Sequence, residues 1–303
     1  MIQYTDYFVS VIIPVYNDAE RLKKCLLALE KQTYPQAQYE VIVVDNASEE
    51  NIKDVVSQFP QARLTFENSP GSYAARNQGI SIAKGEILAF TDADCIPTPN
   101  WIETGVKHLL SLSRPGIVAG GIKMFFKNPN NPTVIELYDS ITNLQQKKMV
   151  EQAHCGATAN LLTFKKVFEE VGLFDRELKS GGDSEWGKRA FSLGYPIEYA
   201  EESCVAHPAR SSFTQLYKKV LRVRGGFYAL EKKQTQENKN LFLSELIKVL
   251  WKWKPPLIYA VRKSFFNQKV KAKRVEIFII TLVFHYAGIL EKTRLLFGGE
   301  AQR

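Results

Sequence analysis

Two aspartates separated by one residue, Asp92 and Asp94, are the clearest candidates for chemistry in this sequence. They follow a predicted buried strand over 86–90, in a turn from which both carboxylates can face one side of a crevice. Carboxylate oxygens are preferred ligands of hard divalent cations such as Mg²⁺ or Mn²⁺, and such a cation in turn binds a diphosphate. An Asp-x-Asp tripeptide is also common as a capped turn on a solvated loop, so the tripeptide alone leaves both interpretations open.

Two further polar residues have types that suit the same chemistry. Asp45 directly follows the β-branched run 41–44, where its carboxylate can accept hydrogen bonds from a nucleoside or can close an Asx turn. Arg76 lies on a predicted helix ahead of the Asp-x-Asp turn, where a guanidinium can pair with a phosphate or form a surface salt bridge. Together these residue types favour a site for a nucleoside diphosphate.

The elements that must position these residues alternate between short apolar strands and helices. Strands are predicted at 9–15, 39–45, 62–66 and 86–90, and helices after Asn17 or Asp18, at 49–59 and at 72–84. This order predicts parallel βαβ units, whose binding crevice lies at the carboxyl ends of the strands. Asn17, Asp45 and Asp92 each stand at or just after such an end, which locates a candidate site at that edge of the sheet.

The following hundred residues continue the alternation less regularly. Further strands are predicted at 115–124 and 156–164. A loop followed by a polar helix is predicted over 128–153, and shorter helices at 165–172 and 183–194. The whole pattern predicts an α/β protein whose sheet is flanked by helices.

Four motifs in the first hundred residues resemble those of family 2 glycosyltransferases, in the family's order and spacing. They are VIIPVYN at 11–17, VVDNAS at 43–48, ARNQGI at 75–80 and AKGEILAFTDAD at 83–94. The resemblance extends over about residues 8–210. It implies a GT-A fold with a mostly parallel sheet flanked by helices, and transfer of a sugar from a nucleotide-sugar with inversion of the anomeric centre. A UDP-sugar is the donor that the resemblance favours.

The resemblance assigns the donor side residue by residue. Pro14, Tyr16 and Asn17 match the segment that cups the nucleoside, and Asp45 matches the aspartate that binds the base. Arg76 matches a position that faces the diphosphate. These assignments agree with the chemistry that the residue types favour.

The same resemblance implies a divalent cation, Mn²⁺ or Mg²⁺. Asp92 and Asp94 match the metal-binding pair, with Asp94 as the more direct ligand. His207 matches a histidine that completes the metal site in some members of the family, although a lone histidine is as often a structural residue.

The segment 181–189 resembles the part of the family that holds the catalytic base. Asp183 aligns with the base, but the residue before it is Gly182, where the family usually has glutamate. An aspartate at the start of a helix can also serve only as an N-cap. Further residues are assigned to the acceptor side: Gly156, Asn160, Glu185 and Trp186.

Composition and charge narrow the class of protein. The chain of 303 residues is 45% hydrophobic and 24% charged, which is typical of a globular protein and excludes a disordered or collagen-like chain. Residues 1–204 carry 20 Lys+Arg against 26 Asp+Glu, whereas residues 205–303 carry 20 against 6. We therefore expect an acidic catalytic body and a basic C-terminal third that meets an anionic surface.

The C-terminal third has its own pattern. Residues 251–254 alternate tryptophan with lysine, and residues 269–274 include four cations. Residues 275–290 are mostly apolar, but a spanning helix needs roughly 20 such residues, so an interfacial helix or a helix packed on the protein's own core fits better. We predict a GT-A domain over 1–230 and a basic helical, membrane-associating extension over 231–303.

The cysteines and the N-terminal residues indicate a compartment. The four cysteines are far apart and form no Cys-x-x-Cys pair, which predicts buried free thiols in a reducing compartment. The first ten residues lack a basic n-region and an apolar h-region, so no secretory signal is expected. We therefore predict a cytoplasmic enzyme. Its basic C-terminal extension would attach it peripherally to the inner face of the plasma membrane.

Alternatives to a glycosyltransferase remain at this point. A nucleotidyltransferase of similar fold is disfavoured because residues 9–17 contain no glycine. A catalytically silent, membrane-tethered nucleotide-sugar-binding protein is motivated by Gly182 and opposed by the retained aspartates. The Gln-x-x-Arg-Trp motif of processive members is missing, which favours single addition to a glycan, a lipid-linked or a small-molecule acceptor. The basic stretch 218–226 lacks a nucleic-acid-binding module, so no nucleic acid partner is expected.

Overall fold

Strands and helices alternate along the chain, as the apolar pattern predicts. The computed structural model of the protein describes residues 4–234, Val261 and residues 273–300. These residues fall into two compact units. The sheet unit comprises residues 4–124, 144–177 and 182–208, and the helical unit comprises residues 125–143, 178–181 and the described residues from 209 onward.

The sheet unit is built around one mixed sheet. Its strands are β1 (Val9–Val15), β2 (Tyr39–Asp45), β3 (Ala62–Phe66), β4 (Ile87–Thr91), β5 (Ile96–Pro97), β6 (Ile117–Phe125), β7 (Asn160–Phe164) and β8 (Ile197–Pro208). Their spatial order is β3-β2-β1-β4-β7-β6-β8-β5. The first four strands in that order run parallel, whereas β7 is antiparallel to β4 and β6, and β5 is antiparallel to β8. The parallel half matches the prediction, and β8 is an element that the sequence pattern did not indicate.

The helices of the sheet unit cover the sheet with apolar faces. They are α1 (Ala19–Leu29), α2 (Ile52–Val56), α3 (Ser72–Ile82), α4 (Trp101–Ser111), α6 (Gln146–Ala153), α7 (Lys165–Val171) and α8 (Gly182–Ser192). In α1 the apolar face, formed by Leu22, Cys25, Leu26 and Leu29, is buried in the core. All four cysteines of the chain are buried and free.

Register brings the carboxyl ends of the parallel strands to one edge. Val15 of β1 lies beside Asp45 of β2, and Ile12 lies beside Phe90 of β4. The residues that follow β1, β2 and β4 therefore emerge at the same edge of the sheet. Asn17, Asp45 and Asp92 occupy that edge, as the parallel topology predicts.

The antiparallel strands complete this edge with residues from far along the chain. β5 begins two residues after Asp94, and its Ile96 pairs with Ala206 of β8. This pairing carries His207, the residue after Ala206, next to the Asp-x-Asp turn. On the other side, Asn160 at the start of β7 pairs with Thr91 at the end of β4.

In the part of the helical unit that the structure describes, three helices pack around a small core. They are α5 (Val134–Thr142), α9 (Phe213–Gln234) and α10 (Arg274–Leu296). Thr133 and Glu136 form a capping box that starts α5. The core consists of Leu137, Tyr138, Ile141, Leu216, Ile277 and Phe284. The predicted extension thus contains a long helix, α10, over the apolar run 275–290.

The predicted domain boundary at residue 230 falls within α9, which continues to Gln234. Division into domains at 230 stays a prediction. The Lys/Trp segment 251–254 and most of the cationic run, 269–272, lie outside the described residues. Within the part of the chain that the structure describes, no helix combines the length and the apolar character needed to cross a membrane.

Candidate active site

The turn after β4 gathers four side chains that can bind a metal ion. Asp92, Asp94, Cys95 and His207 each offer one ligand atom, and these atoms all lie within 4.8 Å of one another. The Asp92 carbonyl accepts a hydrogen bond from the Cys95 backbone at 3.0 Å, which tightens the turn. Asp94 Oδ1 lies 3.5 Å from His207 Nε2. The structure therefore brings the three predicted metal ligands together.

The tautomer of His207 suits metal binding. His207 is 4% exposed, and its Nδ1 lies 2.9 Å from the Pro208 carbonyl oxygen. Because a carbonyl only accepts hydrogen bonds, Nδ1 carries the proton in the neutral ring. The lone pair of Nε2 then faces the carboxylate of Asp94, which is the arrangement typical of a ligating histidine.

Arg76 supplies a buried positive charge beside the turn. The Arg76 side chain is 4% exposed, and its Nη2 donates a hydrogen bond to Asp92 Oδ1 at 2.5 Å. Its Nε is buried and has no hydrogen-bond partner among the described residues. A buried guanidinium with an unused donor fits an anionic ligand, since the donor costs free energy until it is paired. The carboxylates, the imidazole and this donor together fit a divalent cation with a diphosphate.

The nucleoside end of the predicted site lies on the loops after β1 and β2. Asn17 has a positive φ of 48°, and its Oδ1 accepts a hydrogen bond from the Glu49 backbone at 2.7 Å. Asp45 is 7% exposed, and its Oδ1 accepts from the Ser48 backbone at 2.9 Å. Asp45 therefore closes a turn, the structural role left open by the sequence, at the same edge as Asp92. Pro14 lies within β1, and Tyr16 is 49% exposed directly after it.

Asp183 lies in the first turn of α8, which begins at Gly182, so it is not the N-cap of that helix. Its Oδ1 accepts hydrogen bonds from the Tyr73 hydroxyl at 3.1 Å and the Ser184 backbone at 2.9 Å. Its Oδ2 lies 3.4 Å from the Thr158 backbone nitrogen. Burial raises the pKa of this carboxyl, and the nearby charge of Arg76 and these hydrogen bonds oppose that rise. A carboxyl with a raised pKa suits a general base or acid.

The residues assigned to the acceptor side make internal contacts. Asn160 is fully buried, with its amide donating to the carbonyls of Gly121 and Ser203 at 2.8 Å each. Trp186 is fully buried and stacks on Phe168 with ring centroids 4.2 Å apart. These contacts support the walls of the site, and direct contact with an acceptor stays a prediction.

Glu185 and Gly156 are likewise held by their neighbours. Glu185 forms a two-point ion pair with Arg189 at 2.9 and 3.0 Å. A Cβ added at Gly156 would lie 2.8 Å from the Cβ of Ala119, so a larger residue does not fit without movement. The acceptor-side roles of both residues also stay predictions.

Tyr73 is a site residue that the sequence analysis missed. It precedes Arg76 by three positions on α3, a spacing that places both side chains on one helix face. The Arg76 guanidinium lies 5.7 Å from the centre of the Tyr73 ring. Helical periodicity counted back from Arg76 is the signal that could have found it.

Comparison with solved structures identifies the fold. The chain superposes on the mannosyltransferase PcManGT from Pyrobaculum calidifontis, solved in complex with GDP-Man and Mn²⁺, with a TM-score of 0.68 and 18% identity. The match covers 97% of this chain and 88% of that one. The sheet, its flanking helices and the Asp-x-Asp turn at its carboxyl edge thus define a protein of the GT-A fold.

Sequence comparison then identifies the family. Residues 10–172 match the model of "Glycosyl transferase family 2". Glycosyltransferase AglE from Haloferax volcanii is 45% identical over 224 residues, which is 72% of this chain and 72% of AglE. WfgD from Escherichia coli, a UDP-Glc:α-D-GlcNAc-diphosphoundecaprenol β-1,3-glucosyltransferase, is 35% identical over 108 residues, 35% of this chain and 42% of WfgD. The chain belongs to glycosyltransferase family 2.

Proposed function

We propose that this glycosyltransferase is metal-dependent and inverting, and that it moves a sugar from a UDP-sugar to a hydroxyl of a glycan or lipid-linked acceptor in polysaccharide or glycoconjugate synthesis. The observation that carries the proposal is the position of Arg76. It binds Asp92 at the metal-binding turn. It also lies over the ring of Tyr73, whose hydroxyl bonds Asp183. The side chain of Tyr73 thus connects Arg76, which we assign to the diphosphate, with Asp183, which we assign to the acceptor.

The donor side binds the leaving group. Asp94, Asp92 and His207 would hold Mn²⁺ or Mg²⁺, which, when bound, supplies positive charge to the leaving diphosphate. Arg76 donates to a diphosphate oxygen through its buried Nε, where a hydrogen bond is strong because water is excluded. Asp45 and the segment 14–17 hold the nucleoside.

The acceptor side supplies the base. Asp183 takes the proton of the acceptor hydroxyl as its oxygen attacks the anomeric carbon. The bond from that carbon to the diphosphate oxygen breaks in the same step, and its electron pair leaves with the nucleoside diphosphate. Attack from the face opposite the leaving group inverts the anomeric centre. One base is sufficient for this single displacement, so a covalent nucleophile is not required.

The names of two similar proteins support the substrate class. WfgD is named for UDP-Glc and a diphosphoundecaprenol-linked acceptor, which agrees with a UDP-sugar and a lipid-linked glycan. PcManGT was solved with GDP-Man and Mn²⁺. This agrees with a nucleotide-sugar donor and a divalent cation, but the nucleobase is guanine and not uracil. We assign uridine as the nucleoside on the resemblance of the 11–17 and 43–48 motifs.

Calorimetric titration of the protein with UDP and with GDP tests the donor side. We expect UDP to bind in Mn²⁺ or Mg²⁺ and to lose its binding in a chelator. Equal UDP affinity with and without the chelator contradicts metal dependence, and tighter binding of GDP contradicts the assignment of uridine. A screen of UDP-sugars with ¹H NMR of the product then tests inversion, because the coupling constant of the anomeric proton distinguishes the two configurations.

The silent-protein alternative makes the opposite prediction. A protein that only binds nucleotide-sugars releases no UDP beyond background with any sugar and acceptor combination. Turnover that disappears in Asp183→Asn excludes this alternative, since contaminating enzymes would survive the substitution.

A further inference from the structure

Gly182 is the position at which the sequence departs from its family, and the structure shows what occupies the space. A Cβ added at Gly182 would lie 2.8, 2.9 and 3.0 Å from three carbons of the Tyr73 ring. The backbone of Gly182 is not in the left-handed region. The contact with Tyr73 is therefore what opposes a side chain at this position.

The Tyr73 ring is held where it stands. It is 6% exposed and packs on Phe174, with ring centroids 5.7 Å apart. Phe174 is itself fixed to α3, because its backbone N–H and carbonyl both bond the side chain of Asn77, at 3.1 and 2.8 Å. A ring packed in this way directs its hydroxyl to one place, which is Oδ1 of Asp183.

The Tyr73 hydroxyl is a permanent hydrogen-bond donor. Burial and the neighbouring charge of Asp183 raise the pKa of the phenol well above its ordinary value. The other described donors to Asp183 are backbone groups of Ser184 and Thr158. Tyr73 is thus the side chain that sets the orientation of this carboxylate.

We propose that Tyr73 is a positioning residue for Asp183, and that Gly182 is the residue that admits its ring. The proposal rests on the proposed role of Asp183 as the base. Tyr73 acts on the reaction through the carboxylate and needs no contact with the sugar. The pair Tyr73–Gly182 is how this chain orients its base without the usual glutamate.

The sign of the pH effect follows from the direction of the hydrogen bond. A hydroxyl that donates to a carboxylate stabilises the charged form and lowers its pKa. The ionisable groups that act on Asp183 are Tyr73 and Arg76 on α3, and its own charge acts on Cys155 before β7. Removing the hydroxyl leaves Arg76 and Cys155 in place and raises the pKa of Asp183.

The first test compares Tyr73→Phe with Tyr39→Phe. The Tyr73→Phe variant keeps the ring, and with it the contacts to Arg76 and Gly182. We expect kcat to fall about tenfold, the value of a hydrogen bond to a charged group, and the acidic limb of the kcat–pH profile to move to higher pH. UDP affinity in Mn²⁺ should change less than about twofold, because the donor ligands are untouched.

Tyr39→Phe is the matched control. The Tyr39 hydroxyl is also buried and bonds a backbone carbonyl, that of Leu29, at 2.9 Å. Its loss should cost stability as much as the loss of the Tyr73 hydroxyl, but should leave the pH profile unchanged. An unshifted acidic limb in Tyr73→Phe, or the same shift in both variants, overturns the proposal.

A second variant tests the part played by Gly182. Gly182→Ala should reduce kcat by displacing the Tyr73 ring, and should add little further loss when combined with Tyr73→Phe, since the bond is already gone. Fully additive losses in the double variant contradict the pairing. Asp183→Asn separates this proposal from the proposed function. If Asp183→Asn stays active, the base is misassigned. If Asp183→Asn is inactive but Tyr73→Phe keeps the wild-type kcat–pH profile, only the role of Tyr73 is overturned.

Discussion

Asp183 in the sheet unit and Asp139 in the helical unit are both enclosed carboxylates, but their partners carry different charge. Asp139 is fully buried, with Lys219 at 3.7 Å and Arg210 at 3.5 Å from its oxygens. Asn143 and the Arg210 backbone also donate to it. The hydrogen bonds that Asp183 accepts come from a hydroxyl and two backbone groups, all of them uncharged.

The difference separates a structural carboxylate from a reactive one. Two basic side chains pair with Asp139, and a buried group with so many bonds is costly to disturb. Asp183 lacks a directly bonded cation among the described residues, and burial raises its pKa. Part of Asp183 also remains accessible, whereas Asp139 is sealed. Burial alone therefore does not separate the two residues, and the charge of their partners is what supports the proposed role of Asp183 as the base.

The sharpest way to break this comparison is Asp183→Asn. The amide keeps the size of the side chain and removes its basicity, so we expect the turnover rate to fall by roughly 10²–10⁴. UDP binding in Mn²⁺ and the melting temperature should stay close to wild type. Rate assays and calorimetry on the same preparation measure both. If Asp183→Asn is active and Glu185→Gln is inactive, the base is Glu185 and not Asp183.

The counterpart is Asp139→Asn. It leaves Lys219 and Arg210 without their carboxylate in the helical unit, and we expect the free energy of unfolding to fall by about 3 kcal/mol. Urea denaturation measures the loss, and the activity of the folded fraction should be retained. Glu151→Gln, which breaks the exposed pair with Lys147, is the control and should cost less than about 0.5 kcal/mol. Equal costs for the two variants would show that Asp139 is not a structural ion pair.

Asp94 is an intermediate case, in which two contacts with charged groups are long. Its oxygens lie 3.5 Å from His207 and 3.7 Å from Arg21. We expect Asp94→Ala to abolish Mn²⁺-dependent UDP binding, because the direct carboxylate ligand is gone, while leaving stability nearly unchanged. Exposed Asp54 on α2, replaced by alanine, provides the control. A large loss of stability in Asp94→Ala would place Asp94 with Asp139 as a structural carboxylate.

The sequence predicts the local part of this picture and misses the long-range part. The strands 9–15 and 39–45 have the predicted bounds because each is a short, mostly apolar run between polar turns, and 62–66 has them although Arg63 and Thr65 alternate with its apolar residues. The helix predicted over 49–59 is only Ile52–Val56, because Asn51 caps it from within that range. β8 was missed because three glutamates interrupt its apolar pattern.

The site shows the same division. Asn17, Asp45 and Asp92 could be placed at one edge because a parallel sheet aligns strand ends. His207 reaches Asp94 through the pairing of β5 with β8, and Tyr73 reaches Asp183 across 110 positions of the chain. Contacts of that separation depend on tertiary packing, which periodicity does not encode. The resemblance supplied His207 and Asp183. Periodicity could have placed Tyr73 on the helix face of Arg76, but its bond to Asp183 depends on the tertiary fold.

Lys219, a partner of Asp139, should make the stability of the protein depend on pH. Burial lowers the pKa of Lys219 to about 7, and repulsion from Arg210 and Arg222 adds to this against the attraction of Asp139. The unfolded chain, with an ordinary lysine near 10.5, binds more protons between these values, so stability should rise with pH above about 7. We expect a gain of about 2 kcal/mol between pH 7 and 9 that Lys219→Met abolishes. A gain that persists in Lys219→Met assigns the effect elsewhere.

Among the described residues of the helical unit, several apolar side chains of α10 remain exposed. Val275, Ile279, Val283 and Leu290 lie along one side of α10 and are 40–61% exposed. Residues 205–303 carry 20 Lys+Arg against 6 Asp+Glu, and each basic residue near an anionic membrane contributes about 1 kcal/mol to binding.

We expect the protein to co-sediment more with vesicles that contain phosphatidylserine than with neutral vesicles, and this preference should weaken as salt rises. The double variant Ile279→Ser with Val283→Ser should lower this partitioning about 30-fold, since each aliphatic side chain contributes about 1 kcal/mol when it leaves water. Leu193→Ser, an exposed apolar residue of the sheet unit, is the control. Equal partitioning of both variants would show that this side of α10 has no part in membrane contact.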